Sequence, residues 1–222
     1  MGELAERDIG VLREQLAESG RATAGVILHA TEALLDWSAD SFDAAVAGGA
    51  AVEGLHAAID HEVEKFIAAH EATGDQLRVA LTILHVNRSV ERAAHNAVRV
   101  AHLATPPPHQ VPVDEAVITD SLRTMGERGA EMVRTALDAF MRRDVNALLL
   151  LQHLDDVVDR ENEKLAATIM GIGVADYEFR QWATRMLFAG RWLERIGDHA
   201  VNIAERTTAM GPQPGRSLDA AG

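Results

Sequence analysis

Three consecutive prolines stand almost at the midpoint of the chain, in Thr105-Pro-Pro-Pro-His-Gln-Val-Pro112. Such a run cannot continue a helix, because proline lacks the backbone N–H and its ring clashes with the preceding turn. It cannot occupy a central strand for the same want of a donor. Residues 105–112 therefore read as a Pro-rich linker between two halves of similar size, 1–104 and 113–211, with 212–222 as a disordered tail.

Each half reads as helices. Ile9, Leu12, Leu16, Ala24, Ile27, Ala30 and Leu34 recur at three- and four-residue spacing, with one turn skipped at Gly20. Asp40-Ser41-Phe42-Asp43 reads as a turn and N-cap. Val52, Leu55, Ile59, Val63 and Phe66 form a second stripe, which Thr73-Gly74-Asp75 breaks; Asp75 is the expected cap of a third helix running to about Ala104. Beyond the prolines, helices are expected from Asp114 to Met141 and from Asp144 to Met170, the latter closed by Gly171-Ile172-Gly173. Asp176 should cap the last helix, which carries Trp182, Met186, Ala189, Leu193, Ile196, Ala200 and Ile203 and should end by Gly211-Pro212. Aromatic residues are only 4% of the chain, which favours helices over a β-sandwich. The expected fold is all-α, with six helices in two tandem three-helix bundles.

The halves repeat each other. Arg88-Ser-Val-Glu91-Arg92 lies 103 residues before Arg191-Trp-Leu-Glu194-Arg195, and Asp60-His-Glu62-Val-Glu64-Lys65 lies 99 residues before Asp159-Arg-Glu161-Asn-Glu163-Lys164. A small indel between the second and third helices of a half accounts for the change of offset.

With no cysteine among 222 residues, a disulfide framework, a thiolate metal site and a Cys nucleophile are excluded. Any metal must be held by carboxylate, imidazole, amide or backbone ligands. The net charge of −13 repels phosphate backbones, so nucleic-acid binding is not expected. The charged N-terminus has no secretion-signal pattern, and the longest uncharged apolar stretches, Ala44 to Val52 and Ala147 to Leu151, are too short to span a bilayer. A cytoplasmic protein without membrane insertion is the expectation. No P-loop and no nucleophile elbow is visible, so no enzymatic activity is expected.

The repeats preserve acids. Glu194 and Asp198 are four residues apart, and so stand one turn apart on one helix face; Asp155 and Asp159 do the same on the preceding helix. Asn202 and Glu205 extend the first stripe. In the first half, His56 and Asp60 replace Asp155 and Asp159, Glu91 and His95 replace Glu194 and Asp198, and His102 stands where Glu205 stands. Like-charged acids on one face repel. If the two helices pack antiparallel, the four acids converge and a hard or borderline cation removes that cost. Taken singly, an acidic pair of this spacing is more often a solvated face; recurrence in both halves is what lifts it. Gly197 reads as a point of close helix approach, with a kink as the second reading. Arg92 and Arg195 read as partners in structural salt bridges, with a partner's acidic surface as the second reading.

The run Leu193-Glu-Arg-Ile-Gly-Asp-His-Ala-Val-Asn-Ile-Ala-Glu205 closely resembles the signature of the PhoU family of phosphate-signalling regulators, and Asp155 and Asp159 match the partner motif in the preceding helix. The resemblance implies two tandem three-helix repeats with an acidic metal motif in each. It implies bound metal ions, iron or zinc in some members, at Asp155, Asp159, Glu194 and Asp198. In the N-terminal half Asp60 and Glu91 match, while His56 and His95 depart from the family pattern; that site is either lost or suited to a metal with more imidazole affinity, such as zinc or nickel. It further implies action with a phosphate ABC transporter ATPase and a sensor histidine kinase, suppression of the phosphate-starvation response, and a homodimer. Two alternatives stand beside this. A ferritin-like metal-storage or di-iron protein wants Glu-x-x-His on two helices, and only Glu53-Gly-Leu-His56 fits. A metal-free helical adaptor would use the same scaffold without the ions.

Overall fold

The structure is a computed structural model, and it describes residues 3–108, 115–172 and 176–210. Among these residues there are six helices and no strand: α1 (Glu3–Asp36), α2 (Ala39–Ala69), α3 (Gly74–Ala101), α4 (Glu115–Arg142), α5 (Ala147–Met170) and α6 (Tyr177–Ala209). The all-α expectation holds, and every apolar stripe lies on a buried face. Ile9, Leu12, Leu16, Ile27 and Leu34 of α1 and Trp182, Met186, Leu193, Ile196 and Ile203 of α6 all belong to one continuous core.

Helices α1, α2 and α3 pack on one another, as do α4, α5 and α6. The two sets are joined by α1 against α4 and α3 against α6. The four joining helices thus have three helical neighbours each, whereas α2 and α5 have two and flank the assembly.

Helix α1 does not skip a turn at Gly20. It runs unbroken for 34 residues, and Gly20 is buried where α1 meets Leu137 of α4. The second contact of the same kind is against a β-branched side chain. A Cβ at Gly126 of α4 would fall 2.7 Å from the γ-methyl and 2.9 Å from the Cβ of Thr31 on α1. Only glycine lets the two backbones approach this closely.

The caps depart from expectation in two places. Helix α2 is capped by Ser38, whose hydroxyl accepts from the Ser41 N–H at 3.1 Å, so Asp40 to Asp43 lie inside the helix rather than forming its cap. Helix α3 starts at Gly74 with Thr73 in the cap position and no side-chain capping bond. Asp75 sits instead in the first turn, where its charge suits the positive end of the helix dipole. Asp176 caps α6 as expected, its carboxylate accepting from the Phe179 N–H at 2.7 Å. Helix α3 ends at Ala101, α5 begins at Ala147 rather than Asp144, and Gly171 closes α5. Asp114, Gly173 and the expected stop at Gly211-Pro212 lie outside the described residues, as do 109–112 of the linker and the tail. The first part of the linker lies along α6. Pro106 to Pro108 share a surface pocket with Trp182, and the Arg185 guanidinium donates to the Thr105 hydroxyl at 3.1 Å.

Candidate functional site

The two antiparallel partners α5 and α6 bring their acidic faces together. Asp155 lies directly over the α6 backbone: a Cβ at Gly197 would fall 2.6 Å from its Oδ1. The close-approach reading of Gly197 is therefore the right one, and α6 passes through it as one uninterrupted helix. That Oδ1 is buried and finds no hydrogen-bond partner.

Burial is the first reason the Asp155 carboxyl is pushed up to about 6; repulsion from Asp159, Asp198, Asp156 and Glu194 adds to it. Asp159 is raised by burial and then by Glu194 and Asp198. Asp198 is raised by burial and then by Glu194, against the opposing pull of Arg191 and Arg195. All four acids read from the sequence thus share one electrostatic environment. They do not form a closed cage: among the described residues no three His, Asp or Glu side chains converge tightly enough to hold a metal ion. Glu194 is already engaged, accepting from Asn162 Nδ2 of α5 at 2.5 Å and from the Arg191 guanidinium one turn back. The oxygen-only donor set, with an orphaned buried Asp155 oxygen at its centre, suits a hard or borderline cation once Glu194 swings from these two donors.

The N-terminal set is built differently. His56 Nε2 lies 3.6 Å from Asp60 within α2, and His95 Nδ1 lies 3.7 Å from Glu91 within α3. Asn87 of α3 ties the two helices together, donating from Nδ2 to Asp60 Oδ1 at 2.9 Å and to the His56 carbonyl at 3.0 Å. All four expected ligands line one open cavity of about 610 Å³ between α2, α3 and α6. Glu53 of the Glu-x-x-His spacing is exposed and takes no part in lining it.

The cavity also holds what the sequence reading missed. Arg88, Arg92 and Arg99 project into it from α3, and Arg195 and His199 from α6. Neither Arg92 nor Arg195 makes the salt bridge expected of it; no carboxylate lies within ion-pair distance of either among the described residues. Burial, then Arg92 and Arg195, push the His199 imidazole down to about 4. The available signal was the spacing: residues 88, 92 and 99 fall on one face of an α-helix.

The helix arrangement, with its acidic face at one helix pair and a cationic cavity at the other, defines the class: an all-α protein of two tandem three-helix bundles. Residues 122–207 match the model of the PhoU domain. The likeness extends well past that stretch. The chain is 28% identical over 198 residues to the phosphate-specific transport system accessory protein PhoU of Edwardsiella tarda, covering 89% of this chain and 80% of that one. It is 26% identical over 194 residues to its namesake in Escherichia coli, covering 87% and 79%. The crystal structure of PhoU from Pseudomonas aeruginosa superposes with a TM-score of 0.80 at 25% identity, over 92% of this chain and 97% of that one. The phosphate transport system regulatory protein PhoU from Streptococcus pneumoniae shares the fold, with a TM-score of 0.81 at 20% identity.

Proposed function

We propose that this protein is a non-catalytic regulator of phosphate uptake and phosphate-starvation signalling, acting in the cytoplasm with a phosphate ABC transporter ATPase and a sensor histidine kinase. The observation that carries this reading is the near full-length likeness to proteins named as accessory to phosphate-specific transport, in sequence and in helix arrangement alike. A non-membrane site of action is consistent with the described residues, among which no helix is long and apolar enough to cross a bilayer. The acidic face of α5 and α6 would bind a cation, iron or zinc, through Asp155, Asp159, Glu194 and Asp198. A second, weaker site would use His56, Asp60, Glu91 and His95, where neighbouring arginines oppose a cation. The working unit would be a homodimer, which light scattering at micromolar concentration tests directly.

Deleting the gene in its host and following a phosphate-starvation reporter in phosphate-rich medium tests the reading. Derepression of the reporter, reversed by the wild-type gene, is expected. A reporter and a phosphate-uptake rate both indifferent to the deletion would overturn it.

A further inference from the structure

We propose that the cavity between α2, α3 and α6 is a binding site for a small polyanion carrying two or more phosphate groups, held by Arg88, Arg92, Arg99 and Arg195. This inference is independent of the regulator reading, since it rests on the cavity alone.

Charge is the first argument. The chain carries a net charge of −13, so an exposed arginine should find a carboxylate easily. Yet none of these four has one within ion-pair distance among the described residues. Against the four guanidinium groups the cavity wall offers two carboxylates, Asp60 and Glu91. Both already have companions in His56, Asn87 and His95. Two positive charges are left in excess, facing one another across a recess. Mutual repulsion of this kind is relieved by an anion.

Preorganisation is the second. Arg99 of α3 and Arg195 of α6 both lie over the Trp192 ring, 4.7 Å and 5.5 Å from its centroid. A shared aromatic surface holds the two guanidinium planes in place and removes part of the ordering cost of binding. Planar guanidinium forks of fixed orientation match phosphate oxygens in pairs. His85 and His199 line the same cavity, and an imidazole presents at least one N–H donor in either protonation state.

Shape is the third argument, and it selects the ligand. Arg88 and Arg99 are separated by about 16 Å along the α3 axis at the rise of an α-helix. One phosphate group cannot reach both ends of that stripe, whereas a short chain of phosphates can. The cavity of about 610 Å³ has the size of a small-molecule site. Among the described residues its only aliphatic wall residue is Leu84, so it offers little to an apolar body such as a nucleobase.

Isothermal titration calorimetry of the intact protein at physiological salt tests this, with tripolyphosphate, orthophosphate, sulfate and ATP as separate probes. Saturable one-to-one binding of tripolyphosphate, at least tenfold tighter than orthophosphate or sulfate, is expected. The Arg92→Gln, Arg195→Gln double variant should weaken it at least tenfold, while Arg142→Gln, outside the cavity, should not. Should the double variant fail to fold by circular dichroism, Arg88→Gln, Arg99→Gln carries the same expectation, because both side chains are exposed. No saturable binding, equal responses to sulfate and tripolyphosphate, ATP bound tighter than tripolyphosphate, or unchanged affinity in the folded cavity variants would each overturn the proposal.

Discussion

Asp155 is held where its charge is unwelcome, above the α6 backbone and among other acids. Its carboxyl titrates near 6 in the fold, above the ordinary aspartate value of 3.8. The folded state therefore keeps a proton that the unfolded chain has released, and the stability tied to this group is fully present below about 3.8 and lost as pH rises through about 6. In metal-free protein, Asp155→Asn should raise the melting temperature at pH 8 and leave it unchanged near pH 3.5. The gain should be on the order of 1 kcal/mol, reduced from the full pKa shift because the group is only half-buried and partly screened. Equal melting temperatures at pH 8 would count against the repulsion. His199 slopes the other way: its depressed value gives stability that is present above 6.5 and lost as pH falls through about 4. The acids were legible in the sequence because residues four apart share a helix face whatever the tertiary fold. The unpaired state of Arg92 and Arg195 was not, because whether a carboxylate answers an arginine is decided by other helices.

At the scale of helices, a close approach joins α1 to α4 at Gly126 and Thr31. Gly126→Ala gains about 1 kcal/mol of helix propensity. It also pushes a methyl against the buried, β-branched Thr31, whose hydroxyl is tied to the Ile27 carbonyl at 2.8 Å and cannot swing freely. Overpacking of this kind costs about 1–3 kcal/mol, so the clash should win and the urea midpoint should fall. A rise would mean that α1 and α4 slide apart without penalty. The pair α5 and α6 carries the metal prediction. Protein purified without chelator should hold iron or zinc by elemental analysis, and Glu194→Ala, Asp198→Ala should lose it. At free metal a hundredfold above its dissociation constant the fold gains about 2.7 kcal/mol, so EDTA should lower the melting temperature of the wild type and leave the variant unmoved. Identical metal content in both proteins would count against this site. Helix existence followed from apolar period, but three starts were misplaced. Ser38 rather than Asp40 to Asp43 caps α2, since several polar residues in a row all qualify as caps and only backbone geometry chooses among them. At Asp176 there was a single candidate beside a glycine-rich break, and it caps the helix.

Taken whole, the molecule gathers charges of opposite sign at two separate places. The face of α5 and α6 gathers carboxylates, whereas the cavity beside α2 and α3 gathers guanidinium groups. The repeat itself could be read from the offsets of 103 and 99 residues, because equivalent acids and arginines recur in order. How the halves meet could not, since a repeat says nothing about which of its helices faces its copy. That meeting, α1 on α4 and α3 on α6, leaves α2 and α5 with two helical neighbours each. Fewer neighbours mean a lower free energy of local opening. In native-state hydrogen exchange the amides of α2 and α5 should therefore lose protection first, well before the fold as a whole opens, and those of the four joining helices last. Both flanking helices contribute residues to the two sites, Asp155 and Asp159 from α5 and His56 and Asp60 from α2. A cation held by those residues would act as a latch: it would slow the exchange of the very helix that otherwise frays, and make the looseness of the outer layer a measure of what the protein has bound.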